Sequence, residues 1–119
     1  MFKFKFPKDS PQYSWTNHIK NKMLFHGLSE QRILRVLKTP KRVEEGVAEG
    51  TTAAMQSSTT RKNPEEIWVM YRTKPMTNDK RLMTRGKRLT MISTWRYPGI
   101  SKPGNMIPIP DDIREELGI

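Results

Sequence analysis

Hydrophobic and polar positions change their period several times along the chain. Phe2, Phe4 and Phe6 alternate with Lys3 and Lys5, the period of two expected of a strand with one buried face, and Pro7 ends the pattern. The same strip also suits an aromatic and basic surface that stacks bases. Ser14 or Thr16 is placed to cap a helix running to about His26, and Gly27 suits the left-handed position after a helix. At about 100° per residue, Trp15, Ile19 and Met23 form its apolar stripe. Ser29 caps a second helix with Glu30 in its first turn, Ile33, Leu34 and Leu37 at helical spacing, and Thr39-Pro40 as its stop.

From Lys41 onward the pattern is that of strands. Residues 42–48 and 51–56 flank Glu49-Gly50 as a hairpin. The polar stretch 57–64 reads as a loop. Ile67, Trp68, Val69, Met70 and Tyr71 form a run of β-formers suited to a central strand. A further loop containing Pro75, Asn78 and Asp79 leads into a strand over 88–95. There Leu89, Met91 and Ser93 alternate with Thr90, Ile92 and Thr94, as in a strand buried on both faces. Residues 98–110 hold four prolines and two glycines, which predicts an extended arm. Asp111 is placed to cap a last helical turn through Leu117.

The expected architecture is α+β: an N-terminal strand, a two-helix hairpin, then a three- to four-stranded, mostly antiparallel sheet with the helices on one face. Residues 1–97 form a single basic domain, and 98–119 a Pro/Gly-rich arm ending in a short helix. Such a core is modest, since 34% of the 119 residues are hydrophobic.

Charge changes the picture most. The chain carries a net +10, divided into blocks: residues 1–43 and 71–104 each come to +8, whereas 44–70 and 105–119 each come to −3. Two basic segments on one face would meet phosphate with a concentrated field, so RNA or DNA is the expected partner. With no cysteine and two histidines, thiol chemistry and a metal cage are not expected, nor is a cofactor. Short apolar runs and the absence of a signal-like N-terminus imply a cytoplasmic protein with no membrane partner. Glycine-rich phosphate loops, nucleophile elbows and suitably spaced carboxylate pairs are absent.

The stretch from His18 through Lys22-Met23 and His26-Gly27-Leu28-Ser29 to Leu37 and Pro40 resembles a family of small bacterial and mobile-element domains. Its members read His, Arg-Met, Arg-Gly-Ile-Ser, then a helix ending in Leu and Pro. That family is similar to the BrnT-like and RelE/ParE-like toxins, and the resemblance spans residues 13–97. Lys22 and His26 stand where the family has arginine, and Trp95 where an aromatic, usually tyrosine, is common, so a hydroxyl that could serve the chemistry is missing there. The resemblance implies a toxin-like protein that cleaves RNA in some relatives and only binds in others.

Metal-independent RNA cleavage needs a base for the 2′-hydroxyl and cations for the transition state. His18 and Lys22 lie one helical turn apart, about 40° around the axis, so both can face one phosphate. They are the candidate catalytic pair, His18 as base. His26 lies roughly 12 Å from His18 along the helix, too far to share a phosphodiester. Candidate nucleic-acid contacts are Lys20, Arg72, Lys80, Arg81, Arg85, Lys87, Arg88 and Arg96, with Tyr97 placed to stack a base. Two other functions stay open: a non-catalytic nucleic-acid-binding module, and a component that docks an acidic, antitoxin-like protein.

Overall fold

The computed structural model describes residues 4–60, 63–75, 87–103 and 106–119. The elements run β1 (Tyr13–Trp15), α1 (Asn17–His26), α2 (Glu30–Lys38), β2 (Arg42–Glu45), β3 (Thr52–Thr60), β4 (Asn63–Pro75), β5 (Lys87–Pro98) and α3 (Asp111–Leu117). The strands make one five-stranded sheet in the order β1-β5-β4-β3-β2. It is mixed: β1 pairs parallel to β5, and every other pair is antiparallel.

The expected α+β class holds, with corrections in detail. Phe4 and Phe6 are not in a strand; Phe2 and Lys3 lie outside the described residues. Their alternation predicts a paired edge, but β1 takes the available edge of β5. The two rings instead meet edge to face, Phe4 half-buried against the core and Phe6 exposed. Trp15 belongs to β1 rather than to the helix, and still reaches the same core. Within the stretch expected to be a loop, Ser57 to Thr60 are strand, pairing with Glu66 to Asn63 and extending the β3–β4 ladder, while residues 61 and 62 lie outside the described residues. Threonine and serine tolerate strands, and a continuous ladder decides the matter where burial gives no pattern.

The helices begin and end as their capping residues dictate. Thr16 caps α1, its hydroxyl accepting from the Ile19 amide at 3.2 Å while donating to the Met91 carbonyl at 3.0 Å. Gly27 adopts φ 66°, closing the helix with a left-handed residue. Ser29 caps α2, and Thr39 ends it. Asp111 is the first residue of α3 rather than its cap; Pro110 holds the cap position without a side-chain bond.

Two apolar layers sandwich the sheet. On one face Ile19, Met23, Ile33 and Val36 of the helices pack on Ala54, Ile67, Val69 and Met91. On the other, Ala53, Met55, Trp68, Met70 and Trp95 are covered by Ile107 and by Ile113 of α3. The C-terminal segment is tied down by Glu66, buried at 2% exposure, whose carboxylate accepts from Ser101 Oγ at 2.6 Å and from Trp68 Nε1 at 3.2 Å. Arg42 donates to Ser101 and lies over the Trp68 ring at 5.2 Å.

A bulge on β5 decides which side chains reach each face of the sheet. Met70 pairs with Ser93 and Tyr71 with Met91, so Ile92 is the extra residue. The alternation read from the sequence therefore breaks there. Met91 stays on the helix face, while Ser93 shares the opposite face with Met70 and Trp95.

Candidate functional site

Helix α1 replaces a missing strand. The pairing of β1 covers only Leu89 to Met91, and the chain then turns into α1, which follows β5 along its open edge. Thr16 bonds to Met91 and Ile92, His18 to Ser93, and the His26 carbonyl accepts from Arg96 Nε at 2.8 Å. This position lets α1 present Ile19 and Met23 to one apolar layer while His18 and Lys22 reach towards α3.

The candidate pair meets carboxylates there. Lys22, only 8% exposed, donates from Nζ to Asp112 at 2.8 Å and to Glu116 at 2.9 Å. His18 lies 3.0 Å from Glu116 through Nδ1 and 2.8 Å from the Ser93 hydroxyl through Nε2. A carboxylate only accepts, so in the neutral ring Nδ1 carries the proton and Nε2 accepts from Ser93. The acidic block at the C-terminus thus occupies the groups that the sequence reserved for a phosphate. Those partners were not legible in advance, because Asp112 and Glu116 lie some ninety residues away.

The Ser93–His18–Glu116 relay has the connectivity of a hydrolytic triad, yet Ser93 has 0% exposure. No substrate carbonyl can approach a hydroxyl so enclosed. The relay acts as structure, joining α1, β5 and α3.

Burial is the main cause that holds both histidines below their ordinary value of 6.5; Glu116 opposes it at His18, and Arg96 reinforces it at His26. Lys22 is raised by its carboxylates against the effect of burial, and its hydrogen bond chiefly lowers Asp112. A histidine with a lowered native pKa takes up its proton more readily in the unfolded chain. Stability is therefore full above pH 6.5 and declines as pH falls through that value towards the lowered native one. Urea midpoints should drop over this window, and a His18→Asn, His26→Gln double variant should show a flatter profile. An unchanged slope in that variant would refute the assignment.

The remaining predicted contacts separate into two groups at opposite ends of the sheet. Arg96 pairs with Ile67, whereas Arg72 pairs with Thr90. Five residues of β4 separate these rows, about 17 Å at strand rise, so Arg72 and Arg96 do not share a phosphate. Both arginines lie inside strands longer than expected rather than closing them. Arg72 is exposed and donates to the Glu49 carbonyl at 3.2 Å; Arg88, paired with Lys74, is at the same end. Lys87 begins β5. Lys80, Arg81 and Arg85 lie outside the described residues. Lys20 is partly exposed on α1. Tyr97 packs half-buried beside Trp95 and Ile107, which leaves its ring engaged with the core rather than open to a base.

At the other end the structure assembles a cluster that sequence reasoning missed. Gln56, Ile67 and Arg96 stand in one row across β3, β4 and β5. Arg32 of α2 donates to the Gln56 amide oxygen, a neutral partner. Arg35 comes one turn later, exposed. Burial first, then Arg35 and Arg96, lowers the pKa of Arg32, and no carboxylate among the described residues compensates. Arg96 keeps one acidic partner, Glu65 at 2.9 Å. The signal was present in the i, i+3 spacing of Arg32 and Arg35, but only the docking of α2 on the sheet brings Arg96 to them.

Among the described residues no group of three or more His, Asp or Glu is arranged to hold a metal ion, and no helix is long and apolar enough to cross a membrane. What fold and site define is an α+β protein with an arginine cluster at one end of a mixed sheet. A comparison with protein-family models, curated proteins and solved structures finds no match to the chain.

Proposed function

We propose that this protein is a nucleic-acid-binding module whose interface is the Arg32, Arg35 and Arg96 cluster, and that binding rather than cleavage is its activity. The observation that carries this reading is a set of three guanidiniums gathered, among the described residues, with one carboxylate, Glu65, on a chain of net charge +10. Mutual repulsion of such groups is relieved by an anion, and phosphates arrayed along a strand supply it. The cluster joins the two basic segments, since Arg32 and Arg35 come from the first and Arg96 from the second. The order of strand, helix pair and antiparallel strands supports a RelE/ParE-like fold, and the charge supports a cytoplasmic role beside nucleic acid.

The competing function is a metal-independent endoribonuclease with His18 as base. One observation favours it: burial keeps His18 neutral near pH 7, as a base must be. Against it, both ring nitrogens already have partners.

One experiment separates these readings. Purified protein is mixed with labelled RNA and duplex DNA in chelator and scored for cleavage and for a salt-dependent mobility shift. The expected result is a shift without cleavage. Arg32→Ala and Arg35→Ala should each weaken binding uniformly across sequences and lower the salt slope by about one. Cleavage lost in His18→Ala would instead establish the nuclease. Binding confined to a purified acidic protein would reject both.

A further inference from the structure

Helix α1 exposes an aromatic ring where a core-facing helix has no packing reason to carry one. Phe25 is 77% exposed and its neighbour Leu24 49%, whereas Ile19 and Met23 of the same helix are fully buried. Cationic or titratable groups surround the ring. Lys22 Nζ lies 5.7 Å from its centroid, and the His26 ring stands edge-on at 4.9 Å. The backbone carbonyl of His26 accepts from Arg96, and Arg96 shares its row with Gln56, the partner of Arg32. The path from Phe25 through His26 to Arg96 and then to Arg32 leads from an open π-face to a phosphate-binding cluster.

Bases in a duplex are stacked on one another and offer no face to such a ring. A single strand offers one at every nucleotide, and stacking on an aromatic side chain tolerates any sequence. Resting on the nucleic-acid reading above, we propose that Phe25 is a base-stacking platform and that the ligand is single-stranded nucleic acid, held by a base on Phe25 and by phosphates on Arg96, Arg32 and Arg35. Leu24 extends the apolar surface beside the ring. The two parts divide the work: the arginines supply salt-dependent affinity, and Phe25 supplies the preference for unpaired bases.

The test uses the full chain with a twelve-nucleotide single strand, as RNA and as DNA, and with a twelve-base-pair duplex. Wild-type protein should prefer the single strand. Phe25→Ala should weaken single-strand binding about tenfold or more, leaving duplex affinity and the salt slope unchanged, and Phe25→Trp should restore it. Far-UV circular dichroism should stay the same, since the ring is exposed. If wild-type protein binds neither nucleic acid, the functional reading itself fails. If it binds both equally and Phe25→Ala alters neither, the reading stands and the platform is refuted.

Discussion

Trp68→Ala is expected to cost about 3–5 kcal/mol of folding free energy, the usual range for deleting a fully buried tryptophan. Trp68 has 0% exposure, stacks on Trp95 with ring centroids 6.3 Å apart, and gives Glu66 one of its hydrogen bonds. Its removal also takes away the ring beneath Arg42 and loosens the network that fixes Ser101. For a domain of ordinary stability, about 5–15 kcal/mol, such a loss is a large share of the total. A lowered urea midpoint at unchanged slope would register it. A finer comparison tests the cause. Trp95 is equally buried, but its Nε1 has no hydrogen-bond partner among the described residues. Trp68→Phe should therefore cost more than Trp95→Phe, because only the first leaves Glu66 short of a donor. Equal costs would show that packing alone accounts for both residues.

Lys22→Glu should be nearly as damaging, at about 3–5 kcal/mol, since it sets a third carboxylate against Asp112 and Glu116 in a buried position. The expected consequence is local first: α3 leaves the sheet, and the Trp68 and Trp95 face loses the cover of Ile113 and Leu117. Faster exchange of the α3 amides and binding of a hydrophobic dye would reveal it. Glu116→Lys in the same chain restores one attractive pair, so the double variant should regain a good part of the loss. Lack of any rescue would mean that the contact between α1 and α3 is held by its apolar residues, with the ion pairs contributing little.

The two substitutions probe different layers of legibility. Local signals were sufficient wherever neighbours in sequence are also neighbours in space. Thr16, Gly27, Ser29 and Thr39 mark the ends of α1 and α2 because capping depends on backbone groups within a few residues. The apolar run at Ile67 to Tyr71 is a central strand because such a run requires burial on both faces. The alternation of Phe4 and Phe6 misled because period two states that a segment can pair, while the partner edge had been taken by Tyr13 to Trp15. Ser57 to Thr60 misled in the opposite sense, since their strand is held by a ladder and not by a buried face.

The candidate site divides in the same way. His18 and Lys22 share one side of a helix, as their spacing implies, and helical geometry alone accounts for that. Their occupation by Asp112 and Glu116 is a product of tertiary structure, because the C-terminal segment crosses the second face of the sheet and delivers carboxylates to an edge where α1 stands in for a strand. The bulge at Ile92 contributes by turning Ser93 to that side. Arg72 and Arg96, similar in sequence context, are parted by the antiparallel pairing of β4 and β5. Composition alone determined that the protein is basic, and the order of residues that its charge lies in blocks. Only the fold decided which cations meet a carboxylate, as Lys22 does at Asp112 and Glu116 and Arg96 at Glu65, and which, like Arg32 at Gln56, meet a neutral partner, because Coulomb interactions depend on distance in space.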